Sequence, residues 1–169
     1  PFYRRYLIDT GIAPLELLRV EGEVTDEPVN TDLVLRATSL SHDSTTVLND
    51  PRILSFDIEV ASPTRVPHEE RDPIIMVALY GEAYQKVICI KRFENAPPYV
   101  EFVENEGELL LRFVELVKEY NPDYLAGYFS DGFDFPYLRG RADKYKIRLD
   151  LGRDGSSVKF GRGRSSSTA

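Results

Sequence analysis

The chain has 169 residues, 42% of them hydrophobic and 29% charged. That is the profile of a globular protein with a core, in one domain or one domain plus an appendage. No apolar run is long enough to span a membrane and no signal-peptide pattern is present, so no membrane partner is expected. The net charge of −7 is uneven: residues 1–138 carry 12 Lys/Arg against 25 Asp/Glu, and residues 139–169 carry 9 against 3. The basic end could hold a phosphate backbone, or be a solvated helix face followed by a basic tail.

Phe2 to Thr10 reads as a short amphipathic helix, capped by Gly11 and stopped by Pro14. Residues 15–24 and 31–40 read as two strands separated by an acidic turn over 25–30. The polar stretch 39–50, with Asn49-Asp50-Pro51 as a turn, marks a boundary. The chain begins at Pro1 and its only methionine is Met76, which suits a piece of a longer protein. Its single cysteine, Cys89, excludes an intrachain disulfide and suits a buried thiol in a cytoplasmic chain.

Residues 53–60, Ile-Leu-Ser-Phe-Asp-Ile-Glu-Val, alternate with a period of two and predict a strand. Asp57 and Glu59 then share a face, about 7 Å apart at ~3.3 Å per residue. Two carboxylates on a central strand repel each other and lose hydration, and a divalent cation is the usual compensation. The alternative is a strand edge where both acids face water. Residues 61–72 follow as a charged loop expected to be a mobile surface segment, in which His68 is more simply solvated than catalytic. Residues 73–80 and 86–91 predict two further strands joined by a turn at Gly81.

Residues 93–103 read as an irregular connection. Asn105 then caps a helix, with Glu108 three residues on in a capping-box-like start. Leu109, Leu110, Phe113, Leu116, Val117 and Tyr120 make its apolar face, and Pro122 ends it. Residues 123–128 predict a short strand. Ser130-Asp131-Gly132 is a turn into a second helix with Leu138, Ala142 and Tyr145 at helical spacing. The order from residue 52 predicts an α/β domain with a mixed sheet, antiparallel first and then crossover-connected. Residues 151–169 lose core character and read as a basic flexible or truncated segment.

A third carboxylate, Asp134, opens that last helix, where α/β folds carry ligands. By itself it is more simply a helix N-cap. Asp57, Glu59 and Asp134 together form an acid-only set, which suits Mg²⁺ or Mn²⁺ and two-metal phosphoryl chemistry. The aromatics Phe129 and Phe133, with Arg139 and Arg141 beside them, could hold a single strand by stacking and charge.

Phe56-Asp57-Ile58-Glu59 resembles the first exonuclease motif of family B DNA polymerases, and Tyr128 to Leu138 resembles their second. The likeness is closest to archaeal replicative enzymes. It extends through Arg5-Tyr6-Leu7-Ile8-Asp9, Pro73-Ile74-Ile75-Met76 and Gly152-Arg153-Asp154-Gly155-Ser156. The resemblance implies a ribonuclease-H-like fold of mixed sheet with flanking helices, plus a small β-rich N-terminal portion. It implies a 3′→5′ proofreading exonuclease acting on single-stranded DNA 3′ ends, with Asp57, Glu59 and Asp134 as metal-binding catalytic residues. Residues 1–49 would belong to the polymerase N-terminal domain or its junction and residues 50–150 to the exonuclease domain. The remaining partners would be the palm, the fingers, the thumb and the rest of the N-terminal domain.

Two features depart from the family pattern. Phe129 stands where an asparagine is usual, and the third motif, a tyrosine preceding a metal-binding aspartate, does not occur in the chain. The resemblance therefore implies an incomplete two-metal site and a weak or inactive nuclease in isolation. The alternative is a non-catalytic nucleic-acid-binding module of the same fold.

Overall fold

The computed structural model describes residues 2–13, 16–29, 31–43 and 50–158. Pro14, residues 44–49 of the boundary stretch and the basic tail from Lys159 lie outside the described residues. The chain divides into two compact units, Pro1–Pro51 and Arg52–Ala169.

The first unit holds helix α1 (Phe2–Thr10) and strands β1 (Leu18–Val24) and β2 (Leu35–His42). Helix α1 stops where expected. Gly11 takes φ +66°, its N–H donates to the Ile8 carbonyl, and the Ile12 N–H donates to the Leu7 carbonyl. That paired reversal closes a helix around a left-handed residue, which glycine adopts without a Cβ penalty. Strands β1 and β2 pair antiparallel with an irregularity between Glu21 and Gly22. Strand β2 begins at Leu35 rather than 31. The reason is local: the Thr31 hydroxyl bonds both the carbonyl and the N–H of Leu33, diverting the backbone before pairing starts.

In the second unit, strands β3 (Ile53–Val60), β4 (Ile74–Gly81), β5 (Tyr84–Cys89), β6 (Val100–Phe102) and β7 (Tyr124–Ala126) form one sheet in the order β6-β5-β4-β3-β7. The β3-β4-β5 run is antiparallel, while β6 and β7 join parallel at the two edges. The expected mixed sheet is therefore present. The β4–β5 turn is at Glu82–Ala83, with Ala83 at φ +50°, one residue beyond the predicted Gly81. Strand β6 was hidden in the stretch read as irregular: its three residues owe their conformation to pairing with β5.

Alternation on β3 decides the layering. Leu54, Phe56 and Ile58 are buried and stand opposite Gly81, Leu79 and Val77. Helix α2 (Glu106–Tyr120) covers that face with Leu109, Leu110, Phe113, Leu116 and Val117, all buried. Its N-terminus is held as predicted: Asn105 Oδ1 accepts the Glu108 N–H at 3.0 Å. Helix α3 (Asp134–Tyr145) adds Tyr137, Leu138 and Ala142 to the same core. The opposite face, with Ser55, Asp57, Ala78 and Tyr80, lines an open depression of about 500 Å³. Among the described residues no helix is long and apolar enough to cross a membrane.

The segment after β3 departs from its expected mobile character, because it is organised around a buried acid. Asp72, 2% exposed, accepts from the Ser62 hydroxyl at 2.6 Å, the His68 N–H at 3.0 Å and the Arg71 guanidinium at 2.7 Å. A segment with so little apolar surface to bury is ordered instead by these polar contacts.

Candidate active site

Strand β3 carries Asp57 and Glu59 on the face turned away from both helices, and both are exposed. Strand β7 pairs only with Ile53, Ser55 and the residue between them. Beyond Ser55, that edge of β3 is free of strand pairing on the β7 side, and the turn from Gly127 into α3 runs beside it. A Cβ on Gly127 would lie 3.1 Å from the Phe56 carbonyl oxygen. The close approach explains a glycine at this point.

That turn delivers Asp134 to the edge of β3 as the first residue of α3, 4% exposed. The cap position is occupied by Phe133, which makes no side-chain cap hydrogen bond, so Asp134 is not the N-cap. Burial raises the Asp134 carboxyl above its ordinary range, and the nearby charge of Asp57 raises it further. The N–H groups of Asp134 itself and of Ile58 act in the opposite sense. Among the described residues, no lysine or arginine forms an ion pair with Asp57, Glu59 or Asp134.

The set fits a hard divalent cation in its chemistry: the donors are all carboxylate oxygens, and Asp57 and Asp134 form a like-charge couple. The three acids do not close into one cluster, however. Among the described residues, no three His, Cys, Asp or Glu side chains converge on a single cation position. The reason is geometric: Asp57 and Glu59 project from the open face, while Asp134 is buried at the sheet edge.

The aromatic and basic residues expected near the site separate into two kinds. Phe129 is 65% exposed, and its ring lies over Gly132, so a side chain at 132 would collide with it. Phe133 is half-buried against Tyr137, with ring centroids 5.2 Å apart, and lines a groove of about 340 Å³ with His68 and Pro136. Arg139 is exposed on α3. Arg141 corrects the sequence reading. It is 2% exposed and donates through Nε and Nη2 to both carboxylate oxygens of Glu106, at 2.7 and 2.5 Å. It therefore presents no cationic surface to a strand. Its spacing could have revealed this, because Arg141 lies three residues after Leu138 and beside Ala142, on the apolar side of α3.

Glu106 was missed as well. Burial would raise its carboxyl, but the Arg141 guanidinium and the Ile74 N–H outweigh burial and hold it below the ordinary value. His68 is exposed; its N–H donates to Asp72 and its Nδ1 accepts the Glu70 N–H at 3.4 Å.

Residues 1–168 match the model of the family described as DNA polymerase family B, exonuclease domain. Curated relatives include a DNA polymerase of Methanocaldococcus jannaschii, 38% identical over 165 residues, covering 96% of this chain and 9% of that protein. A DNA polymerase of Archaeoglobus fulgidus is 34% identical over 164 residues, covering 97% of this chain and 19% of that protein. The chain thus spans at most about a fifth of the length of these relatives. Among solved structures, the family B DNA polymerase of Pyrobaculum calidifontis aligns with a TM-score of 0.78 at 29% identity, covering 96% of this chain and 20% of that one.

Proposed function

Because the chain belongs to the exonuclease-domain family of family B DNA polymerases, we propose that it is the 3′→5′ proofreading segment of a replicative DNA polymerase. Its substrate is the 3′ end of single-stranded DNA, and its reaction is phosphodiester hydrolysis. Residues 1–49 are read as part of the polymerase N-terminal domain or its junction, residues 50–150 as the exonuclease domain and residues 151–169 as a basic flexible or truncated segment. The palm, fingers, thumb and the rest of the N-terminal domain are the proposed partners.

The observation that carries this reading is the buried Asp134 carboxyl, raised by burial and by Asp57, at the open edge of β3. Two like charges brought together, one of them buried, are commonly compensated by an added cation, which supports this reading. Exonuclease domains of this family depend on divalent metal, and Asp57, Glu59 and Asp134 are the residues proposed to hold Mg²⁺ or Mn²⁺. Divalent cations there would polarise the scissile phosphate and lower the pKa of an attacking water. Asp134 supplies a ligand fixed by α3, and β3 supplies Asp57 and Glu59 on one rigid strand. Phe129 and Phe133 offer ring faces to unpaired bases, and Arg139 offers charge to the backbone.

A second reading, a strand-binding module that does not cleave, is favoured by two observations: the three acids do not converge, and Phe129 replaces the usual asparagine. One experiment separates the readings. Thermal melting with and without Mg²⁺ is compared for this chain and Asp57→Ala, alongside digestion of 5′-labelled single-stranded DNA. The expected result is a Mg²⁺-dependent rise in melting temperature that Asp57→Ala removes. This chain is expected to shorten DNA weakly or not at all, and a longer chain carrying the third motif to shorten it from the 3′ end. No cleavage by the longer chain would favour the binding module. Absence of any Mg²⁺ effect would refute the metal assignment.

A further inference from the structure

The groove lined by Phe133, the residue before Asp134, has two walls. Pro67 and His68 stand on one side, and Phe133, Pro136 and Tyr137 on the other. The second wall belongs to the start of α3 and is anchored in the core. The first belongs to the polar segment 62–72, whose Val66 is 76% exposed. Such a segment has little apolar burial to hold it and depends on its hydrogen bonds.

Some of those bonds are internal, to the Asp72 carboxylate, and three come from α3. Arg141 Nη1 donates to the Glu69 carbonyl at 2.8 Å, Lys144 Nζ to the Glu70 carbonyl at 3.2 Å, and the Tyr137 hydroxyl to the Asp72 carbonyl at 2.8 Å. Arg141 is itself fixed by the two-pronged bond to Glu106, whose Oε1 also accepts the Ile74 N–H at 2.8 Å. Glu106 and Arg141 are 3% and 2% exposed. The segment lies directly on the helix at Gly140, where a Cβ would be 3.1 Å from the Glu69 carboxyl carbon. One buried pair thus joins the start of α2, the start of β4, α3 and the groove wall.

We propose that Arg141, oriented by Glu106, is a positioning residue of the exonuclease site. It holds residues 66–69 against α3 and so sets the width of the groove by which an unpaired strand end reaches Asp134. The proposal rests on the reading of Asp134 as part of the cleavage site. It assigns Arg141 a role opposite to phosphate binding: its charge is satisfied internally, and what it contributes is the rigid fork that a lysine lacks.

The test uses two variants of this chain. Arg141→Lys keeps the charge and loses the fork. Glu106→Met/Arg141→Met removes both charges, an exchange that buried pairs tolerate when the volume is kept. Hydrogen exchange is followed over residues 62–72. In both variants, amide protection of that segment is expected to fall by about tenfold or more, while β3, α2 and β4 beyond Ile74 keep theirs; the Ile74 N–H loses its Glu106 acceptor in the double variant. Unchanged protection of the segment in the double variant overturns the proposal. Binding of a fluorescent oligothymidylate is then titrated over a range of salt concentrations. The double variant is expected to bind more weakly with the same dependence of log affinity on log salt. A slope shallower by about 0.7, the loss of one single-strand phosphate contact, identifies Arg141 as a phosphate ligand and also overturns the proposal. Failure of the parent chain to bind the oligonucleotide removes the underlying strand reading, a result distinct from either of these, and the exchange data still decide whether the strap exists.

Discussion

Phe56 is the residue through which the candidate site is tied to the core. It is 3% exposed on β3, immediately before Asp57, and its ring meets Phe113 of α2 at 5.6 Å and Phe135 of α3 at 4.9 Å. Phe135 in turn follows Asp134. Truncation by Phe56→Ala removes a buried ring between two helices, at a cost of about 3–5 kcal/mol. Two aromatic contacts worth roughly 0.5–1.5 kcal/mol each beyond their area place the change toward the upper end of that range. For a domain of about a hundred residues, each kcal/mol lowers the melting temperature by roughly 4–8 °C, so the expected drop is roughly 15–40 °C. Urea unfolding followed by far-UV circular dichroism gives the free energy directly. Phe56→Leu keeps most of the apolar volume and is expected to cost less than about 1.5 kcal/mol. That folded variant isolates the second consequence: without the Phe56–Phe135 contact, the Mg²⁺-dependent rise in melting temperature shrinks, because Asp57 and Asp134 lose their shared support. An alanine variant that loses less than about 1 kcal/mol would refute the wedge reasoning, since a buried ring cannot be removed that cheaply without collapse of its site.

Three further outcomes are expected. The Arg71 guanidinium, then the Ser62 hydroxyl and the His68 N–H, hold the Asp72 carboxyl well below the usual range. A depressed folded pKa contributes stability that is complete above the unfolded value, about 3.9, and is lost as pH falls through the folded one. Thermal melts from neutral to strongly acidic pH should therefore show the gap between the parent chain and Asp72→Asn narrowing once the pH drops below about 4; a constant gap argues against the assignment. Asn105→Ala removes the bond to the Glu108 N–H and is expected to cost about 1 kcal/mol in urea unfolding, with Asn105→Asp recovering most of it; an alanine variant as stable as the parent would show that the cap contributes nothing. Asp134→Asn removes a buried charge beside Asp57, so the melting temperature without metal should rise while the Mg²⁺-dependent increment falls. Retention of the full increment would remove Asp134 from the ligand set.

What the sequence determined by itself is local. The alternation over 53–60 produced β3 with its stated bounds and placed Asp57 and Glu59 on one face. Asn105, the apolar spacing and Pro122 marked α2, and Gly11 marked the end of α1. These signals work because a period of two or of 3.6, or a residue with a special φ, is settled within a few neighbours. The three-residue strand β6 has too few residues to show a period, so pairing with β5 alone defines it.

Burial and the choice of partners were decided only by tertiary structure. Arg141 and Arg139 stand two positions apart in a basic run; helical spacing puts Arg141 on the apolar side of α3 but does not name its partner. One is buried against Glu106, 35 residues away, and the other faces solvent. The charged stretch 62–72 read as mobile, yet Asp72 organises it and Tyr137 holds it from 65 residues away. Asp134 taken alone read more simply as a cap than as a ligand. The packing of α3 against β3 separated the two by placing Phe133 at the cap and the Asp134 carboxyl beside Asp57. A charged side chain carries no record of whether water or protein will surround it. That is set when distant elements close over it, and the cost of desolvation then decides which charges must be paired.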